Sequence, residues 1–220
     1  MRVACIVIPH YAVQVEVRRS PDLQGKPVAL VHSKGSRRFI FDVSPRADGV
    51  SPGMTLSTAL GHCQEAVLLD ADLPLYQNAS NKLLDALGNV SPVIEDGGNG
   101  LAYVDVHGLS EMYGGEARVV TALLQAVPSG FAPQVGIGDG KFPAYVAATR
   151  AHYHGTAQVP EDARTYLADE PVHVLPVPFK TVTRLRGFGL DHLGQIAAVG
   201  LGPMQAQFRR EGRLMWELSV

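Results

Sequence analysis

The chain has 220 residues, of which 46% are hydrophobic, and a formal net charge of −2 at pH 7. This length allows one large domain or two to three small ones, and the mixture of apolar and charged residues excludes a disordered chain. A nearly neutral charge does not indicate nucleic-acid binding by the whole surface, so any contact with DNA must come from local basic clusters. The two cysteines, Cys5 and Cys63, stand in apolar surroundings and are predicted to be reduced core thiols.

The apolar segments of the chain are short. The run at the N terminus ends at Pro9, which makes it too short for a signal sequence, and no later run approaches the roughly 18 apolar residues of a membrane span. We therefore expect no membrane contact and a cytoplasmic location.

The first half of the chain alternates between predicted strands and helices. Residues 3–8 form a continuous apolar, β-branched run, which is typical of a strand buried on both faces. A basic turn at residues 33–38 separates two further apolar segments and predicts a hairpin. Apolar side chains recur at helical spacing in residues 55–63 and again in residues 79–90.

Residues 91–109 predict a second β-hairpin. Apolar residues crowd positions 92–95 and 102–106, and a Gly-rich turn at residues 96–100 lies between them. A helix is predicted at residues 115–127, followed by a strand at residues 132–138 and another helix that begins near Lys141.

From about Pro160 the character of the chain changes. A Pro-rich connector at residues 171–178 precedes two short helices joined at residues 186–190. The pattern Leu185-x-Gly187-Phe188-Gly189 resembles a helix-hairpin-helix, which offers backbone N–H groups to a DNA phosphate. Arg184 and Arg186 stand beside it and would neutralise phosphate charge.

Taken in order, these segments resemble the Y-family (translesion) DNA polymerases. The resemblance rests on Val15-Glu16 and on residues 25–31, 49–54 and 102–105, and it extends over essentially all 220 residues. It implies an α+β right-hand fold, with a palm of ferredoxin-like mixed sheet plus helices, small fingers and a helical thumb that contains the helix-hairpin-helix. The palm is expected at residues 1–10 and 75–160, the fingers at 11–74 and the thumb at 161–220, with the little finger of the family absent.

The resemblance also implies where the metal-binding carboxylates of that family would lie. They fall at Val7, Gly100 and Leu101, none of which has a side-chain oxygen. Phosphoryl transfer of this type depends on divalent ions, and Mg²⁺ requires oxygen ligands. This pattern is similar to a catalytically inactive, ImuB-like branch of the family, and it predicts a protein that is not an enzyme and needs no cofactor.

Other family positions keep suitable residues. Arg46 and Lys141 match residues that contact nucleotide phosphates, although a solvated surface role is equally compatible with both, and the steric gate falls at Tyr11 or Ala12. The thumb arginines near the C terminus are open to two interpretations, a grip on the DNA backbone or a solvated helix face. The positions that the resemblance implies for DNA contact are Arg184, Arg186, Gly187, Gly189, Arg209, Arg210 and Arg213.

Acids and histidines elsewhere do not predict a metal site. Asp70 and Asp72 are expected in a loop before a helix. His152 and His154 are two residues apart, which does not place both on one helix face, and no cysteine or acid stands near them at zinc-like spacing.

The leading hypothesis is an inactive adaptor that functions in translesion synthesis, DNA repair and damage-induced (SOS) mutagenesis. By resemblance it would bind primer-template DNA weakly and join a sliding clamp to a replicative-type polymerase in a bacterial, nucleoid-associated mutasome. The alternative is an active translesion polymerase that holds Mg²⁺ through displaced acids, namely Asp96, Asp105 or Asp139. A third hypothesis is an interaction module without a DNA role.

Overall fold

The computed structural model describes residues 1–152 and 155–220. This part of the chain contains a five-stranded sheet, a three-stranded sheet and a C-terminal helical unit. The strands are β1 (Arg2–Val7), β2 (Val28–Lys34), β3 (Arg37–Val43), β4 (Val67–Asp70), β5 (Ile94–Gly98), β6 (Leu101–Asp105), β7 (Gln134–Asp139) and β8 (Thr156–Gln158). The helices are α1 (Tyr11–Arg19), α2 (Leu56–His62), α3 (Leu73–Leu87), α4 (Leu109–Tyr113), α5 (Glu116–Ala126), α6 (Lys141–Arg150), α7 (Ala163–Ala168), α8 (Phe179–Gly187), α9 (Leu193–Val199) and α10 (Leu201–Glu217).

The five-stranded sheet has the order β5-β6-β1-β7-β8, so β1 lies at its centre. It pairs antiparallel with β6 and β7, and β8 runs parallel to β7 after the crossover helix α6. Ala4 and Ile6 pack into the main core with side chains of α1, α3 and α5, whereas Val3 and Cys5 face α6. The continuous apolar run that predicted a strand buried on both faces is therefore explained by helices on both sides of β1.

The three-stranded sheet has the order β3-β2-β4, with β2 and β4 parallel. Asp70 ends β4 opposite Val31, so the prediction that it lies in a loop is wrong. The helix predicted at residues 79–90 begins earlier, at Leu73, because the Asp72 side chain accepts a hydrogen bond from the Leu75 N–H at 3.1 Å. Pro74 is compatible with this start, since the first helical turn needs no proline N–H.

Helices α7 to α10 surround a second core, which contains Leu185, Leu193 and Met215. Helix α10 bends sharply at Arg209, whose φ is 55°. Cys5 and Cys63 are both free and buried, which confirms the prediction of core thiols. Across the described ranges, no helix combines the length and the apolar composition that a membrane crossing needs.

Candidate functional site

The turn between β5 and β6 consists of two residues, Asn99 and Gly100, with φ values of 47° and 77°. Asn-Gly is the preferred sequence for a two-residue hairpin turn with positive φ at both positions. The turn predicted at residues 96–100 was too long, because Asp96 pairs with Ala102 and Gly98 with Leu101 across a bulge. The short turn places Gly100 beside the end of β1.

The three positions expected for carboxylates meet at this end of the sheet. Val7 lies directly opposite Leu101 in the β1–β6 ladder. The N–H of Ile8 donates a hydrogen bond to the carbonyl oxygen of Gly100 at 2.9 Å. Val7 and Leu101 are partly buried beside Tyr103, so this end of the sheet presents apolar and aromatic side chains towards α6.

The ring of Tyr11 fills the space next to Gly100. A Cβ atom at position 100 would lie 2.5 Å from Cδ2 of Tyr11, which is closer than such atoms can approach. The Tyr11 ring stacks on Phe131 with centroids 5.6 Å apart, and its hydroxyl donates to the carbonyl of Tyr76. Burial raises the pKa of Tyr11 to about 12, which keeps the hydroxyl protonated as a donor. Tyr11 and Ala12, the two candidates for the steric gate, are both buried.

The three displaced acids do not come together. Asp96 lies near the hairpin turn, where its Oδ1 accepts a hydrogen bond from the Gly98 N–H at 2.7 Å. Asp105 pairs with Val3 and Asp139 with Arg2, at the opposite end of the sheet. Within residues 1–152 and 155–220, no three His, Cys, Asp or Glu side chains group as metal ligands.

The structure accounts for two further acids, Asp70 and Asp72, by contacts with other residues of the chain. Asp70 forms an ion pair with Arg38, and Asp72 caps α3. His154 lies outside the described residues, so the prediction made for it and His152 stays a prediction.

Arg46 and Lys141 occupy different places. Arg46 lines a pocket of about 250 Å³ together with His10 and Lys26, beside α1. Lys141 begins α6, forms an ion pair with Glu95 and lines a separate cavity of about 650 Å³. The structure therefore does not bring these two cations into one phosphate site.

His10 is a titratable candidate that sequence reasoning missed. It has a left-handed conformation, with a φ of 49°, and its Nδ1 lies 3.8 Å from Oδ1 of Asp42. Hydrogen bonding to Asp42 raises the pKa of His10 above its usual value. The two residues are 32 positions apart in the sequence, so no local sequence pattern predicts their contact.

We expect Asp42→Asn to lower the pKa of His10, because the substitution removes the carboxylate that favours the imidazolium. Since folding raises this pKa, the pair stabilises the fold fully below the unfolded pKa of about 6.5, and that contribution is lost as pH rises through the folded pKa. An NMR titration of His10 measures the shift. Asp70→Asn is the control because Asp70 contacts Arg38, and an unchanged His10 titration in Asp42→Asn would contradict the assignment.

The hairpin between α8 and α9 uses its backbone N–H groups internally. Leu190 donates to the carbonyl of Leu185 at 3.1 Å and Gly189 donates to that of Arg186 at 2.9 Å, with Gly189 at a φ of 75°. This is the Schellman arrangement that ends a helix, and it requires a residue such as glycine in the left-handed region. The N–H groups of Gly189 and Leu190 are therefore engaged within the turn, and the predicted DNA contacts of Arg184, Arg186, Gly187 and Gly189 stay a prediction.

The basic side chains of the C-terminal unit line two neighbouring cavities, and Arg209 and Arg210 belong to both. Arg184, Arg209 and Arg210 line one cavity of about 420 Å³ with Lys180. Arg213 is held by Glu217 at 2.6 Å and lines a neighbouring cavity with Arg209 and Arg210. Arg184, Arg186, Arg209 and Arg210 are exposed.

The arrangement of sheet, small sheet and helical unit is that of Y-family DNA polymerases. DinB from Sulfolobus solfataricus superposes with a TM-score of 0.85 at 20% identity, over the whole of this chain and 67% of that one. The insertion ternary complex of Dbh DNA polymerase gives 0.83 at 19% identity, again over the whole chain and 67% of the other. These likenesses confirm the predicted fold class.

Sequence relatives agree with the fold. The DNA polymerase IV of Dehalococcoides mccartyi strain CBDB1 is 30% identical over 90% of this chain and 52% of its own length. That of Pasteurella multocida is 27% identical over 93% of this chain and 59% of its own length. This chain spans about half the length of the curated relatives it matches. The impB/mucB/samB family model matches residues 6–149, and the chain belongs to this family.

Two expectations from the sequence are corrected by these relatives. The prediction that the protein is not an enzyme is wrong, because relatives over most of the chain are named DNA polymerase IV. The expectation of no cofactor is wrong for the same reason, since polymerases transfer nucleotides with divalent ions. Both predictions rested on Val7, Gly100 and Leu101 and gave too little weight to the similarity of the rest of the chain to DNA polymerases.

Those three positions nevertheless do not fit a divalent ion. Val7, Gly100 and Leu101 supply no side-chain oxygen, and position 100 has no room even for a Cβ atom beside Tyr11. Mg²⁺ is held by carboxylates and similar hard oxygens. The side chains at this end of the palm sheet therefore do not form the usual ion site.

Proposed function

We propose that this chain acts in translesion DNA synthesis as the palm, fingers and thumb of a DNA polymerase, and that it holds primer-template DNA between palm and thumb. The observation that carries the proposal is its match to DNA polymerase IV over 90% of the chain. The subdomain limits we assign are residues 1–10 and 75–160 for the palm, 11–74 for the fingers and 161–220 for the thumb.

The exposed arginines of the thumb support the DNA-holding role. Arg184 and Arg186 lie on the last turn of α8, and neither forms an ion pair with a described residue. Guanidinium groups without a carboxylate partner are suited to phosphate oxygens, which they bind through two parallel hydrogen bonds. Arg209 and Arg210 extend the same basic surface across α10.

Primer extension tests the polymerase proposal. The purified chain is incubated with a labelled primer-template, the four deoxynucleotides and either Mg²⁺ or Mn²⁺, with EDTA as the control. The proposal predicts nucleotide addition that depends on the divalent ion and survives repeated purification. Loss of that addition on Asp96→Asn, with retention on Asp139→Asn, would show that Asp96 contributes to the activity and Asp139 does not. DNA binding without addition under every condition would contradict polymerase activity.

The second candidate is an adaptor of translesion synthesis that positions DNA for partner proteins. The apolar side chains at Val7 and Leu101, and the glycine at position 100, favour it. By resemblance its partners would be a sliding clamp and a replicative-type polymerase, acting in damage-induced mutagenesis in the bacterial nucleoid. Co-purification with those two proteins, compared with a chain carrying a disrupted thumb surface, would test this candidate.

We expect the double variant Arg184→Ala/Arg186→Ala to bind primer-template DNA more weakly and with a shallower salt dependence. Each lost phosphate contact lowers the slope of log affinity against log salt by about 1, so the double variant should lose about 2. Fluorescence anisotropy at several salt concentrations measures both quantities. Arg118→Ala is the matched control, because Arg118 is exposed on α5, on the other face of the sheet from α6, and an equal loss there would contradict a specific thumb contact.

A further inference from the structure

Phe188 is exposed at the tip of the hairpin between α8 and α9. Its side chain is 55% accessible, although a phenylalanine gains most when buried. One edge contacts Phe208, with ring centroids 6.0 Å apart and planes at 86°. The Schellman turn and Phe208 hold the ring in place while one side remains open to solvent.

The ring borders an apolar cavity of about 410 Å³. Leu190, Val199 and Met204 line this cavity together with Phe188 and Phe208. Val199 is also partly exposed, so the apolar surface continues from the ring into the cavity.

Cations border this apolar surface on the side of Phe208. The guanidinium of Arg184 lies 4.9 Å from the centroid of Phe208, on the ring that also supports Phe188. Phe208 borders both the apolar cavity and the neighbouring cavity, which is lined by Lys180, Arg184, Arg209 and Arg210 and by one acid, Glu211. Residues 179–190 contain three cations and no acid, in a chain whose net charge is −2.

An aromatic ring set among cations is complementary to single-stranded nucleic acid. Unpaired bases stack on exposed aromatic side chains while arginine and lysine neutralise the flanking phosphates. Duplex DNA hides all of its base faces within the stack except those of the two terminal pairs, so its internal bases cannot use the ring in this way. An apolar protein segment would fill the cavity but would leave the cations without partners.

We infer that Phe188 stacks on an unpaired base of single-stranded DNA, and that Arg184 and Arg186 contact the phosphates beside it. The thumb then binds the unpaired part of a DNA substrate in addition to its duplex. This inference deepens the proposed function, because it rests on DNA lying along the thumb.

The test compares a labelled oligothymidylate with a blunt duplex in anisotropy titrations at one low salt concentration. Phe188→Ala is expected to weaken binding of the single strand roughly tenfold, the effect of one stacked base, and to leave duplex binding unchanged. Phe188→Tyr should retain single-strand affinity because its ring still stacks, whereas Phe188→Leu should lose it. Phe179→Ala is the matched control, since Phe179 is 82% exposed at the other end of α8 and does not line the cavity.

The outcomes separate the inference from the proposed function. Single-strand affinity that is unchanged in Phe188→Ala contradicts stacking, and affinity retained in Phe188→Leu but lost in Phe188→Ala shows an apolar anchor instead of a stacked base. A wild-type chain that binds neither duplex nor primer-template DNA contradicts the proposed function itself. Should Phe188→Ala fail to fold, judged by thermal unfolding, the comparison of Phe188→Tyr with Phe188→Leu decides the question.

Discussion

Gly136→Ala is expected to lower the free energy of unfolding by about 3 kcal/mol, the upper range for added volume in a tightly packed core. Gly136 lies on β7 where α6 crosses the sheet. A Cβ atom there would be 2.1 Å from the carbonyl oxygen of Ala144 and from the backbone N of Ala148. Because both neighbours are backbone atoms, α6 must shift as a whole. Urea denaturation followed by circular dichroism measures the loss.

Gly61→Ala is the matched control for this prediction. Gly61 lies inside α2. Apart from its chain neighbours and the backbone of α2 itself, no atom lies within 4 Å of the added Cβ. Alanine is favoured over glycine within helices by about 1 kcal/mol, so this variant should be as stable as the wild type or slightly more stable. If Gly136→Ala unfolds at the same urea concentration as Gly61→Ala, this result contradicts the claim that α6 packs too closely on β7 to admit a Cβ atom at position 136.

Arg19→Ala is expected to destabilise the chain by about 1 to 3 kcal/mol, because it leaves a buried carboxylate without its half-exposed cation, which also pairs with Asp72. Glu16 is only 1% exposed, although glutamate is rarely buried without a partner. Its Oε2 lies 2.6 Å from the guanidinium of Arg19, and its Oε1 accepts a hydrogen bond from the Tyr76 hydroxyl at 2.8 Å. The carboxylate thereby joins α1 to α3.

Arg38→Ala provides the comparison for an exposed ion pair. Arg38 lies 2.5 Å from Asp70, and their side chains are 45% and 85% exposed. Exposed pairs contribute about 0 to 1 kcal/mol, so this variant should change stability little. Urea titrations measure the free energy of unfolding of both variants. An equal loss in Arg19→Ala and Arg38→Ala would contradict the claim that burial of Glu16 increases the contribution of its ion pair to stability.

Much of the β-structure could be predicted from local patterns. The β-branched run at the N terminus specified β1, and both hairpins were visible as apolar segments around glycine-rich or basic turns. The length of the second turn was missed although Asn99-Gly100 carries its own signal, because residues 96–98 looked like turn residues and are in fact paired in a bulged strand. Short elements such as β4 and β8 depend on pairing with distant strands, and their sequences are too brief to show a period.

The candidate site was less accessible to sequence reasoning because it depends on distances between remote residues. The meeting of Val7, Leu101 and Gly100 followed from the family resemblance, whereas the ring of Tyr11 against Gly100 is visible only in three dimensions. Nor does the sequence show that Arg46 and Lys141 occupy different pockets. Weighing the three substituted positions alone led to an inactive protein without a cofactor, which the polymerase relatives overturn.

The salt dependence of primer-template binding by the unmodified chain tests the DNA-holding role most directly. Anisotropy titrations at about 50 and 200 mM salt should show an affinity that falls steeply, by about a hundredfold or more if several phosphates are neutralised. Such a fall would agree with a thumb whose arginines grip the DNA backbone. Affinity that is undetectable at the lower salt, or that does not change between the two, would contradict the account.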